Sequence, residues 1–328
     1  MRRAARRYGI PGEDWLDLST GINPHPWQGE PPAWDDWTRL PEDDDGLAEA
    51  AQRYYGAPAA LPSAGSQAAL QALPHLRPAC RAGVLAPSYA EHAQAWRRAG
   101  HEVVALEAVQ IDAAVERLDV LVLANPNNPD GQCFPPEMLL AWRERLAEHG
   151  GWLVVDEAFA DVAPQASLAV HSHLPGLIVL RSLGKFFGLA GARVGFALAE
   201  DGFLQRLAEH LGPWSVAGAS RILARQALDD RAWQEAARIR LVADEARLAE
   251  LLRRHGLTPA GGCALFQWIE TPRAAAIHET LARHGILTRL FVQPPGLRFG
   301  LPGAEEQWQH LEAVLSVELM PPRKARRY

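Results

Sequence analysis

Residues 119–159, DVLVLANPNNPDGQCFPPEMLLAWRERLAEHGGWLVVDEAF, decide the architecture. The stretch reads as a strand (DVLVLANP), a helix (PEMLLAWRERLAEHG) and a second strand (GWLVVDEA). Both strands are nearly continuous apolar runs, the mark of a parallel sheet covered on both faces, and a helical crossover lets them run parallel. The alternation continues outward. Upstream come the helix GLAEAAQRYYG (46–56), a helix in AGSQAALQAL (64–73) entered through Gly65 and Ser66, and the run GVLAP (83–87). Then follow helical EHAQAWRRAG (91–100), strand-like HEVVALE (101–107) and helical DAAVERL (112–118). Downstream, GLIVLRS (176–182) and ARVGFALA (192–199) add two strands. The expectation is an α/β layer structure with a mostly parallel central sheet.

After Gly212-Pro213 the texture changes. Residues 217–255 are helical in composition with a break near Asp229-Asp230, and shorter strands and helices alternate again from CALFQWIE (263–270) to a final helix from Ala304. We therefore divide the sequence into an N-terminal arm over 1–40, rich in Pro and Trp, a large domain over 41–212 and a smaller α/β C-terminal domain over 213–328.

Composition narrows the function. A chain of 328 residues with 48% hydrophobic and 22% charged residues is ordinary globular material. A formal net charge of −6 argues against a general nucleic-acid binder. The basic ends RRAARR and PRKARR read as solvated termini. Cys80, Cys133 and Cys263 are spaced too widely for a disulfide framework or a cysteine-based zinc site, so a reducing cytoplasm is expected. No apolar run approaches the roughly 20 residues that span a bilayer, and no apolar stretch follows MRRAARRYG to make a secretory signal. The pair His171 and His173 has no evident third metal ligand, so no metal is expected. GLAGARVG has the wrong spacing for a dinucleotide-binding turn.

One residue stands apart. Of 33 basic residues only Lys185 and Lys324 are lysines, and Lys185 sits inside the apolar RSLGKFFGLAGARVGF (181–196). Arginine cannot give up its proton, whereas a buried lysine can become a neutral amine nucleophile. By composition alone, a charge snorkelling from a strand end fits Lys185 equally.

Open parallel sheets place ligands at the C-terminal ends of their strands. Here those ends are polar: Asn125, Asn127 and Asn128 follow one strand, Asp156 ends the next, and Ser182 and Lys185 end a third. Singly, these read as a turn, a helix cap and a surface charge. Together they suit one cofactor, pyridoxal phosphate, which needs an amine, a carboxylate for its ring nitrogen, a partner for its phenolic oxygen and a stacking ring. Lys185, Asp156, Asn128 and Tyr89 supply these. The amides of Gly65, Ser66 and Gln67, with Ser182 and Arg193, form a phosphate cup.

The ordered set AGSQAAL, PSYAEH, NPNNPDG, VVDEAF and RSLGKFFGLAGARVGF resembles the fold-type I pyridoxal-phosphate enzymes of the aminotransferase superfamily, from about Leu18 to the final helix. The resemblance implies Lys185 as the Schiff-base lysine, Asp156 as the pyridinium partner, Asn128 on the phenolic oxygen and Tyr89 as the stacking ring. Ser182 and Arg193 match the phosphate ligands. It also implies a homodimer.

Two subfamilies share the pattern, the histidinol-phosphate aminotransferases and the threonine-phosphate decarboxylases of cobalamin synthesis. STGINP (19–24) is similar to the decarboxylases' segment, and Phe159 stands where the aminotransferases carry a tyrosine. Leu40, in RLPEDDDGL (39–47), replaces the family tyrosine that reaches the neighbouring subunit. The substrate implied is a small phosphorylated amino acid, with Arg298 matching the superfamily's carboxylate arginine, Arg289 a second substrate-facing arginine and Asn23 a third contact. An aminotransferase and a non-catalytic protein of the same fold are the alternatives.

Overall fold

The structure, a computed structural model, describes residues 1–318; Lys324 and PRKARR (322–327) lie outside the described residues. The strands, in chain order, are β1 (Leu16–Asp17), β2 (Leu61–Ser63), β3 (Arg81–Leu85), β4 (Glu102–Leu106), β5 (Val120–Ala124), β6 (Trp152–Asp156) and β7 (Leu177–Ser182). They continue with β8 (Gly195–Leu198), β9 (Gly261–Cys263), β10 (Phe266–Glu270), β11 (Ile286–Leu287), β12 (Arg289–Phe291) and β13 (Gly296–Gly300). The chain divides into two compact units, the larger comprising 26–128 and 132–237, the smaller 1–25, 129–131 and 238 onward.

The larger unit is built on a seven-stranded sheet in the order β2-β8-β7-β6-β5-β3-β4. The five strands from β7 to β4 are mutually parallel, and β8 runs antiparallel to both of its neighbours. Every residue of β5 and β6 is buried. Val120, Val122, Val154, Ile178 and Leu180 point to one face and meet Leu73, Trp96 and Phe203 from the helical layer. Burying each such side chain is worth roughly 1.5–3 kcal/mol, so packing on two sides, rather than intrinsic propensity, holds these strands. The crossover helix Pro136–Ala147 opens on a proline whose missing N–H has no intrahelical partner to lose. From β3 the chain moves outward to β4 and then returns to the other side of β3 as β5. This reversal opens a crevice beyond the strand ends, where a ligand fits.

The smaller unit carries the antiparallel sheet β12-β13-β10-β9 and a short parallel pair, β1 with β11. Its helices include Ala274–Arg283 and Glu305–Glu318.

Both boundaries depart from those read in the sequence at 40/41 and 212/213. The first 25 residues are not an irregular arm: Arg2–Tyr8 is a helix whose Arg7 and Tyr8 bind Glu279, and Leu18 is fully buried with its N–H donating to Leu287. Residues 213–237 belong to the larger unit. Arg221, on the helix Gly218–Asp229, is 4% exposed and forms a bidentate pair with Asp45, each bond 2.7 Å, while Arg53 pairs with Asp229.

Candidate active site

Four strand ends of the larger unit converge on a cavity of about 180 Å³. Its walls include Asn128 after β5, Asp156 at the end of β6, and Ser182 and Lys185 at and after β7. Tyr89, after β3, with Ser66, Gln67 and Arg193, completes the lining. Gly65 lies against Arg193.

The asparagine-rich loop separates into supports and one wall residue. Asn125, 3% exposed, closes the base of its loop by exchanging hydrogen bonds with the backbone of Phe134 (3.1 and 2.8 Å). Asn127, fully buried, donates to the Pro87 carbonyl at 2.9 Å and accepts from Ser88 Oγ at 2.7 Å, tying this loop to the one carrying Tyr89. Only Asn128 of the three lines the cavity.

Asp156 has one hydrogen-bonded oxygen and one lying beside a buried imidazole. The Ala158 amide donates to Oδ1 at 3.0 Å, and His92 Nε2 lies 3.2 Å from Oδ2, with the His92 side chain 1% exposed. Sequence reading missed His92. Its signal is its position three residues beyond Tyr89, one helical turn into Ala90–Arg98, where Tyr89 and His92 meet edge to face. The Lys185 amine lies 5.3 Å from the centre of the buried Phe159 ring.

The residues predicted to form a phosphate cup are closely packed. Arg193 adopts a left-handed backbone (φ 54°), a conformation non-glycine residues rarely keep without a functional reason. A Cβ on Gly65 would lie 2.6 Å from Arg193 Nη2, and one on Gly195 would strike the Ser66 amide, so the close packing here requires glycine at both positions. Gln67 accepts from Tyr89 Oη at 3.1 Å, linking ring and cup.

This arrangement can hold a planar aromatic phosphate: guanidinium and amides at one end, a carboxylate at the other, a ring alongside and a primary amine in reach. Among the described residues no cluster of three His, Cys, Asp or Glu side chains is placed to hold a metal.

The remaining candidates belong to the smaller unit. Arg298 on β13 is 5% exposed, donates to the Ser19 carbonyl at 2.6 Å and lies 5.0 Å over the Phe266 ring. Its cross-strand partner is Arg289 on β12. Burial first, with the charge of Arg289 adding to it, pushes the Arg298 guanidinium down to about 10. Asn23 is buried, and its Oδ1 accepts the His25 amide at 2.9 Å. Leu40, in the larger unit, is 65% exposed.

Residues 38–311 match the family described as aminotransferase class I and II. The threonine-phosphate decarboxylase of Pseudomonas aeruginosa is 59% identical, over 96% of this chain and 95% of that protein. The protein of the same name from Sinorhizobium sp is 41% identical, over 97% of each. Among solved structures, histidinol-phosphate aminotransferase from Sinorhizobium meliloti in complex with pyridoxal-5'-phosphate superposes with a TM-score of 0.80 at 22% identity, covering 96% of this chain and 94% of that one. At that identity the likeness is one of fold. With the matched segment spanning every strand of both larger sheets, the chain belongs to the aminotransferase class I and II family.

Proposed function

We propose that this protein is a pyridoxal-phosphate-dependent lyase that decarboxylates L-threonine O-3-phosphate to (R)-1-aminopropan-2-yl phosphate, a step of cobalamin biosynthesis, acting as a cytoplasmic homodimer. The observation that carries this reading is the cavity joining an amine, a buried carboxylate and an arginine-backed anion cup, in a chain 59% identical to a threonine-phosphate decarboxylase along nearly its whole length.

When bound, pyridoxal phosphate supplies an electron sink for the bonding pair left as carbon dioxide departs. The rest falls to the protein. Ser66 and Gln67 offer backbone amides to the phosphate, while the Gly65 amide predicted with them instead donates to the Ser63 carbonyl at 2.7 Å, and Ser182 and Arg193 add a hydroxyl and a charge. Tyr89 gives a ring face, and Asn128 a partner for the phenolic oxygen. Asp156, hydrogen-bonded by the Ala158 amide with His92 alongside, presents its carboxylate to the ring nitrogen. Lys185 provides the amine that anchors the cofactor and then holds the proton returned to the substrate carbon after carbon dioxide leaves.

Arg289 and Arg298 take the substrate's carboxylate and phosphate, with Asn23 as a further contact. Like charges directly opposite on adjacent strands repel, and burial of one of them raises the cost. An anion relieves both. Replacing Arg298 by Gln is expected to lower kcat/KM by roughly 10–100-fold, the worth of a hydrogen bond to a charged group, without changing cofactor absorbance. Arg289→Gln should act in the same direction. Loss of the cofactor from either variant would place these arginines elsewhere.

The homodimer is supported by the large apolar side chains that the bigger unit leaves exposed, Trp34 at 79%, Trp37 at 60% and Trp214 at 56%. Light scattering after size exclusion tests it, with Trp37→Glu expected to shift the protein toward monomer.

The reaction itself is tested by supplying pyridoxal phosphate and L-threonine O-3-phosphate and following carbon dioxide, beside histidinol phosphate with 2-oxoglutarate and glutamate detection. Carbon dioxide without glutamate is the expected result. Glutamate without carbon dioxide would make the protein an aminotransferase.

A further inference from the structure

Behind the cavity wall lies a second polar layer. Successive residues of a strand point to opposite faces. Asp156 and Ser182 line the cavity, so their neighbours Glu157 and Arg181 are carried to the other side of the same strand ends. There Arg181, 1% exposed, donates from Nη1 to Glu157 Oε2 at 2.6 Å and from Nη2 to Asp161 Oδ1 at 2.9 Å, with both carboxylates fully buried. Glu157 also accepts the Leu168 amide at 2.7 Å and the Ser167 hydroxyl. Asp161 accepts from Tyr54 Oη at 3.0 Å, and the Arg181 guanidinium lies 4.4 Å over the Tyr55 ring.

Two carboxylates against one guanidinium in a dry site are costly, and burial pushes the Glu157 carboxyl upward. Replacing a buried ion pair or triad by apolar side chains of similar volume is often neutral or stabilising. Stability is therefore a weak rationale for the network, and its reach a stronger one. It ties the end of β6 to the end of β7, both to the loop 160–168, and these to the helix Leu47–Tyr55. Tyr54 of that helix also meets Phe187, two residues past Lys185, at 5.5 Å. The network thus grips the wall one residue from Asp156, one from Ser182 and two from Lys185.

We propose that Arg181, with Glu157 and Asp161, is a positioning residue that fixes Asp156, Ser182 and Lys185 relative to the bound cofactor. This rests on the pyridoxal-phosphate reading of the cavity. A salt link that only stabilised the fold would leave the cofactor's orientation unchanged once the protein is folded. A positioning link sets the orientation itself.

The test compares wild-type holoenzyme with Arg181→Met and with the charge-free Arg181→Met/Glu157→Gln/Asp161→Asn variant, whose buried carboxylates are not left unpaired. Urea unfolding shows that each is folded at the assay temperature. The readouts are the visible circular dichroism of the cofactor, cofactor Kd, and kcat and KM taken separately. The triple variant is expected to stay folded, lose at least half the dichroic amplitude, bind cofactor several-fold more weakly and drop in kcat by about 10–100-fold with little change in KM, the scale of a small misplacement of reacting groups. Where neither variant folds, Tyr54→Phe, which removes the 3.0 Å hydrogen bond to Asp161, should still lower the dichroic amplitude and kcat about 2-fold. Unchanged dichroism, Kd and kcat in a folded variant would overturn the proposal. A wild-type protein that develops no visible band with pyridoxal phosphate would instead overturn the cofactor reading.

Discussion

Replacing Lys185 by alanine is expected to lower carbon dioxide release by at least about 10⁴-fold, since one positioned acid–base group contributes up to roughly that factor and this side chain is also the proposed covalent anchor. Lys185 leaves the loop after β7 half-buried beside the Phe159 ring, with Leu183, Phe186 and Phe187 buried around it. These neighbours are held by the core, so alanine at 185 removes the amine and leaves the wall standing. Borohydride treatment of the wild-type holoenzyme, followed by peptide mass spectrometry, should place the cofactor adduct on the peptide carrying Lys185, and on no peptide of the variant. Lys185→Arg should be as inactive, because a guanidinium keeps its proton. A Lys185→Ala protein within tenfold of wild type would remove the anchor assignment and revive the non-catalytic alternative.

Asp156→Asn is the second large effect, an expected fall in kcat of about 10²–10³-fold, the usual consequence of removing one group aimed at developing charge. The substitution keeps the shape, and the Ala158 amide can still donate to the retained oxygen. What is lost is the negative charge proposed to face the ring nitrogen, on a side chain only 10% exposed and flanked by His92. Cofactor Kd should change less than kcat, because the phosphate cup at the opposite end is untouched. His92→Ala, which removes the side chain 3.2 Å from Asp156 Oδ2 without discharging the carboxylate, should give a smaller fall in the same direction. If Asp156→Asn kept kcat within threefold, the carboxylate would have no part in the chemistry.

Lys185 was legible because a single internal lysine among arginines is a compositional signal that needs no three-dimensional information. Asn128 was legible only as one of three asparagines. That Asn125 is spent on Phe134, nine residues on, and Asn127 on Pro87 and Ser88, 40 and 39 residues away, follows from how these loops pack. Glu157 and Arg181 stayed hidden for a different reason. A parallel strand buried on both faces has no polar alternation to read, so the residue behind a cavity wall resembles its neighbours in sequence. The boundary near 237 was equally invisible, since residues 218–229 look helical whichever unit they pack on. The ion pair that decides the matter, Arg221 with Asp45, joins positions 176 apart.

Local order was therefore the sequence's own to determine: the alternation of buried strands and covering helices, the class of sheet, and the presence of one amine and one carboxylate at strand ends. Each depends on side-chain type and spacing within a dozen residues. Only the tertiary structure decided which polar groups share a cavity and which support it, because strand pairing brings together residues scattered from Gly65 to Arg193, and neither propensity nor spacing encodes contacts across that distance.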